Sequence, residues 1–154
     1  MMTTKKFFES MMEIDFTDLP EDLVSRTRHC ILDAVGSALF GAQISAGQSI
    51  IRGAKYSRDD TGSTIVGSAD RISTLDAYRV NARLSNLADF GEGSFNVPNH
   101  PGRMLVHSGL VAGDKLNASL KDTTTAIIVG YETILRVGHA IRPIIWPFDQ
   151  PQPD

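Results

Sequence analysis

Residues 17–41 read TDLPEDLVSRTRHCILDAVGSALFG, and this stretch decides the fold class. Leu23, Thr27, Cys30, Ile31, Ala34, Val35, Ala38 and Leu39 recur at the i, i+4, i+7, i+8 spacing of one buried helical face. Thr17 or Asp18 can cap the helix, Pro20 suits its first turn, and Glu21 and Asp22 favour the positive end of its dipole. Gly41 is its predicted end. At ~1.5 Å per residue the helix is about 30 Å long, enough to cross a small domain. Cys30 on the apolar stripe reads as a buried structural thiol, and Asp33 as a buried carboxylate satisfying donors in the core.

The same periodicity continues on both sides. A short helix is predicted over 4–14, with Phe7, Phe8, Met11 and Met12 as its apolar face, and another over 46–57, with Ile50, Ile51, Ala54 and Tyr56. Asp59, Asp60, Thr61 and Gly62 mark a turn, and 63–66 is a short extended piece closed by Gly67. Ser73 to Asp76 is a capping sequence for a helix reaching about Phe90. Residues 91–102, with three Gly, two Pro and two Asn, form a loop. Helix resumes near Gly102 and stops near Gly113. A last helix spans about 121–141, with Ile127, Ile128, Tyr131, Leu135 and Gly138 inward, and Pro143 ends it. The expectation is an all-α domain over 1–142, followed by a tail, 143–154, that holds four of the seven prolines and cannot be helical. Gly36, Gly130 and Gly138 lie inside helices, where each costs about 1 kcal/mol against alanine, and close helix–helix approach is the expected reason.

The bulk chemistry narrows the function. With 42% hydrophobic and 21% charged residues over 154 positions, one domain with a real core is expected and disorder is not. A net charge of −3 without a basic run argues against a nucleic-acid partner. No segment approaches the ~18 apolar residues of a membrane span, and the N-terminus lacks the apolar core of a signal peptide. One cysteine fits a reducing compartment, so the cytoplasm is the expected location. The four histidines show no metal spacing, and His29, His107 and His139 are expected at helix surfaces or core edges.

The chemically loaded segment is 89–103. A helix ends in Asp89, a glycine-rich loop follows, and His100 stands before Pro101 at the mouth of the next helix. His has the side-chain pKa nearest neutrality and suits proton transfer, with Asp89 placed to orient it or pair with its charge. Ser94 and Arg103 are the candidate substrate-carboxylate contacts, Arg103 by position and charge alone. The local pattern leaves a structural alternative open, with Asp89 bonding loop amides at a helix end and His100 satisfying loop carbonyls.

These stretches resemble the MmgE/PrpD family. Leu32 to Gly36 with Gly41 and Ala42 is similar to its "LLDTLG…AGA" stretch, and Gly62 to Gly67 to "GxSTVIG". Asn81 to Phe90 resembles "NGxLAHALDFDD", His100 to Gly102 "HPG/HPS", and Ile127 to Glu132 "IVxGYE". The five occur in family order, over residues from about 17 to 142. The family comprises 2-methylcitrate dehydratase, cis-aconitate decarboxylase and relatives. The resemblance implies a helical main domain, a smaller α/β lid, a homodimer, and metal-independent lyase chemistry on di- or tricarboxylates with no cofactor. Asp89 matches the first Asp of "DFDDT", His100 the His of "HPS", and Ser94, or else Gly93, falls near the Thr. "DFDDT" has become Asp89, Phe90, Gly91, Glu92, Gly93 in this chain. The lid and the family's later lysines and tyrosine have no counterpart in these 154 residues. A shortened site or a second polypeptide supplying the lid follows from that. A non-catalytic helical dimerisation module derived from the family is the alternative.

Overall fold

The computed structural model describes residues 3–89, 91, 93 and 100–145, with side chains as far as 141. Phe90, Ser94 and the tail beyond 145 lie outside the described residues. Six α-helices and one two-stranded sheet follow in the order α1 (Thr4–Met12), α2 (Glu21–Gln43), α3 (Ser45–Ala54), β1 (Arg58–Thr64), β2 (Arg71–Ile72), α4 (Thr74–Asn86), α5 (Pro101–Leu116) and α6 (Leu120–Ile145). The all-α expectation holds, with the small antiparallel sheet as its one addition. Among the described residues no single helix is long and apolar enough to cross a membrane.

α2 is the central beam. Its buried residues are Val24, Thr27, Ala34, Ser37, Ala38, Gly41 and Ala42, a narrow stripe of small side chains. Small residues let α4 and α5 approach closely, and the stripe sits to one side of the one predicted. Asp33 and Leu39 fall on its solvent side, so the expected buried carboxylate is exposed and Leu39 is 44% exposed. Cys30 is only half-buried. Gly41 does not end the helix, because its missing side chain is used for packing. A Cβ there would sit 2.0 Å from the Leu84 carbonyl oxygen of α4. α2 stops instead at extended Ile44, and the chain bends by 92° into α3. Gln48 Nε2 donates to the Ala42 carbonyl, satisfying one of the orphan groups at the end of α2.

Two apolar clusters result. One holds Ala38, Ala42, Ile51, Ile65, Ile72, Ala77, Val80 and Leu84; the other joins Ala34, Val106 and Ile127, with Ile31, Leu110 and Tyr131 around them. α5 crosses α6 at Gly109 and Gly113, where a Cβ would meet Ile127 and Thr123. Gly113 therefore lies inside α5 rather than at its end, and left-handed Asn117 (φ 50°) takes the terminating position. Gly130 meets Leu105 as expected, whereas Gly36 has nothing within 4 Å and plays no packing part. α6 continues to Ile145, past Pro143, in place of the predicted end. A proline this close to a helix end removes one ladder bond and leaves the turns before it intact.

The sheet explains the 58–72 segment. Arg58 and Ser63 both register against Ile72, so the residues between them bulge out of β1. The turn chemistry expected of 59–62 survives inside that bulge, where Asp59 accepts from the Thr61 N–H (2.9 Å) and hydroxyl (2.8 Å). These two bonds hold the Asp59 carboxyl below its ordinary pKa. Asn81, buried on α4, closes the strand's far end. Its Oδ1 accepts from Val66 N–H (2.8 Å), and its Nδ2 donates to the Thr64 carbonyl (3.0 Å). Asp114 of α5 takes the Thr64 N–H (2.8 Å) and hydroxyl (2.9 Å) and pairs with Arg71 (3.1 Å). Burial alone would raise the Asp114 pKa, but the Thr64 and Arg71 donors together bring it below the ordinary value.

Candidate functional site

The site forms where α4 hands over to α5. α4 begins well, with Ser73 Oγ accepting the Asp76 N–H (3.3 Å), and ends at Asn86, earlier than the predicted Phe90. Asp89 follows with φ 52°, a left-handed conformation that Asp tolerates better than most residues. Its N–H reaches the Asn86 carbonyl at 3.4 Å, and its side chain is exposed. α5 starts with Pro101 in its first turn, where a missing N–H costs nothing. Pro101 and Gly102 are buried while His100 is exposed, so the elbow is anchored from inside and turns its imidazole outward. His100 occupies the N-cap position (φ −120°, ψ 74°) without a side-chain cap bond to the helix amides, so its ring is not spent on capping.

Arg103, in the first turn of α5, sits between these ends. Its Nη1 donates to Asn86 Oδ1. Its Nε is shut off from solvent and has no hydrogen-bond partner among the described residues. Gly91 lies against the guanidinium, where a Cβ would be 3.1 Å from Nε. Asp89, His100 and Arg103 thus flank one loop whose two helices are tied together at Asn86. Ser94 lies outside the described residues. Asn86 is the participant that sequence reasoning missed, because an Asn in a polar helix end carries no signal of its partner seventeen positions away.

His107 is the second departure. It was expected at a helix surface or core edge, and it is fully buried beside Val106 on α5. Burial pushes its pKa down to about 4, against a smaller opposing effect of the Ala34 carbonyl. That carbonyl lacks hydrogen-bond geometry to the ring, whose two nitrogens have no partner among the described residues. Ser85 Oγ already donates to it at 3.3 Å. Apolar neighbours at helical spacing, Val106, Leu110 and Val111, were the signal that could have shown this burial. His29 and His139 are exposed. No group of three or more His, Cys, Asp or Glu side chains among the described residues could hold a metal ion.

Two apolar grooves lie elsewhere. One, of 620 Å³, runs between α2 and α6, with Phe16, Leu32, Leu120 and Lys121 in its walls. The other, of 400 Å³, lies between α1, α2 and α6 over Met11, Leu23, Cys30 and Leu135. Neither is lined by Asp89, His100 or Arg103.

Comparison with known proteins agrees with the helical frame. The family model described as the MmgE/PrpD N-terminal domain matches residues 5–144. A cis-aconitate decarboxylase of Aspergillus terreus, and that of its strain NIH 2624 / FGSC A1156, are each 22% identical over 129 residues. The match covers 80% of this chain and 26% of theirs, so the chain spans about a quarter of the length of these curated relatives. No solved structure matches.

Proposed function

Because the chain belongs to the MmgE/PrpD family through its N-terminal domain, we propose that it forms part of a lyase that works on a di- or tricarboxylate by proton transfer. One observation carries this reading: Asp89 and His100 are exposed at the two ends of a single loop whose flanking helices are tied at Asn86 and Arg103. His100 takes or returns a proton at a carbon next to a carboxylate, and Asp89 orients the imidazole and stabilises its charged form. The similarity to cis-aconitate decarboxylase supports a small polycarboxylate as substrate. The remaining groups of the site come from outside these residues, from a second polypeptide or the rest of a longer one. A reducing cytoplasm is the compartment this reading implies.

The test is hydrogen exchange. Cis-aconitate or citrate is incubated with the protein in heavy water and followed by proton NMR. Deuterium entering a C–H position beside a carboxylate, lost in His100→Ala, is the expected result. Neither exchange nor binding of a tricarboxylate would overturn the enzyme reading.

A second reading has its own observation. Leu32 and Leu120 are 69% and 72% exposed at the groove between α2 and α6, beside Phe16. Apolar helix faces of this kind are usual contact surfaces. A helical module that dimerises without catalysis would use them, and both readings propose a homodimer. Light scattering at micromolar concentration should give at least twice the chain mass; a monomer would refute the dimer.

A further inference from the structure

Arg103 stands in the first turn of α5, where the helix dipole disfavours a cation. Its position therefore calls for contacts that outweigh the dipole. Nη1 is held by Asn86 Oδ1 on the last residue of α4. The guanidinium also covers Gly91, whose absent side chain makes room for it: a Cβ there would lie 3.1 Å from Nε and 3.5 Å from Nη2. Nε is enclosed, away from solvent. One planar cation thus bonds the end of α4 to the start of α5 and packs against the loop just past Asp89. Asn86 and Gly91 bracket Asp89 in sequence, and His100 lies one helical turn before Arg103.

We propose that Arg103, with Asn86 and Gly91, is a positioning residue that fixes Asp89 and His100 relative to one another, and that it does not itself bind a substrate carboxylate. The importance of those two residues rests on the lyase reading, whereas the fastening stands on geometry alone. A planar fork suits this task because it can hold an amide oxygen with Nη1 while its Nε–Nη2 edge lies against a glycine. A Cβ on Gly91 would make the guanidinium give by a few tenths of an ångström.

The experiment uses the whole chain with labelled histidines, and His100→Gln assigns the His100 imidazole signal. Asn86→Ala, Arg103→Met and Gly91→Val should each displace the His100 imidazole signal at fixed pH. The Asn86→Ala/Arg103→Met double variant should move it no further than the larger single, because groups acting as a unit are not additive. Asn86→Gln keeps a neutral amide acceptor for Arg103 and should stay closer to wild type than Asn86→Ala. The His107 signal reports the core; if Asn86→Ala or Gly91→Val loses it, Arg103→Lys, which removes the planar fork and keeps the charge, decides the matter by displacing the His100 signal. Citrate binding supplies the opposing outcome. If Arg103→Met weakens citrate by about tenfold, the value of one charge-assisted hydrogen bond, while Asn86→Ala changes neither citrate affinity nor His100, Arg103 is a direct contact and the proposal fails. If wild-type protein binds no citrate, the lyase reading fails and the His100 imidazole signal in the variants still decides the fastening.

Discussion

Gly41 lies so close to the backbone of Leu84 that a Cβ would stand 2.0 Å from the Leu84 carbonyl oxygen. This is where α2 crosses α4, and a helix backbone cannot swing aside as a flexible side chain can. Gly41→Ala should destabilise the protein by about 3 kcal/mol or more, at the upper end of overpacking costs. Gly36, on the same helix with open space around it, sets the contrast. Gly36→Ala should stabilise by about 0.5–1 kcal/mol through helix propensity alone. Urea unfolding of the pair checks both signs; equal effects would mean that the crossing at Gly41 is wrongly placed.

Asn81 is the polar counterpart of that crossing. Asn81→Ala would leave the Val66 N–H and the Thr64 carbonyl without their side-chain partner. Val66 is half-buried and Thr64 exposed, so water repays part of the loss, which should fall at roughly 1–3 kcal/mol. Asn81→Asp keeps the acceptor but buries a carboxylate against the Thr64 carbonyl oxygen, and should cost at least as much as Asn81→Ala. Chemical denaturation at neutral pH reads the ranking.

His107 predicts how stability depends on acidity. Its pKa falls from 6.5 to about 4 on folding because burial penalises the charged ring. Between those values the unfolded chain binds the extra proton and the folded chain does not, so stability rises with pH through this window. The neutral ring's full contribution is present above pH 6.5 and is lost as pH falls toward 4, a change of about 3 kcal/mol. Asp15, Asp59, Asp70, Asp76 and Asp114 are shifted below 3.8, so their stabilisation is lost only at lower pH, as it falls through their folded values. His107→Leu should therefore flatten the stability profile between pH 4 and 6.5 and leave the steeper acid limb in place. An unchanged slope in the variant would assign the window to another group.

The helices were legible because their signals are local. Ser73, Pro101 and the 3.6-residue spacing of Ile127, Ile128, Tyr131 and Leu135 each act within one element. The packing glycines Gly41 and Gly113 were misread as stops because the residues that need their space, Leu84 and Thr123, are distant in sequence or lie on another helix. β1 was seen only in part, since Arg58 and Ser63 share one partner on β2 and the bulge between them hides the alternation. At the candidate site the chemistry-bearing residues stood out by type, while the hydrogen bond between Asn86 and Arg103 had no sequence pattern to show it. The apolar spacing of Val106, Leu110 and Val111 marks the face of α5 on which His107 lies, but that α2 covers this face is not local to α5.

The functional prediction concerns His100 and Asp89 together. If His100 moves the proton, His100→Ala should lower turnover of a carboxylate substrate by roughly 10²–10⁴-fold, the usual share of general acid–base catalysis. Asp89→Asn should lower it by a smaller factor, because Asn keeps the left-handed backbone at φ 52° while losing the charge that orients the ring. The double variant should be no worse than the poorer single, since residues working as one unit are not additive. Both side chains are exposed, so melting temperatures should stay at the wild-type value. Asp89→Ala supplies the backbone control: it removes the charge and also places a residue without a helpful side chain at positive φ, so it should melt lower than Asp89→Asn while showing a similar loss of turnover. Turnover that survives both His100→Ala and Asp89→Asn at unchanged melting temperature would move the chemistry away from this loop.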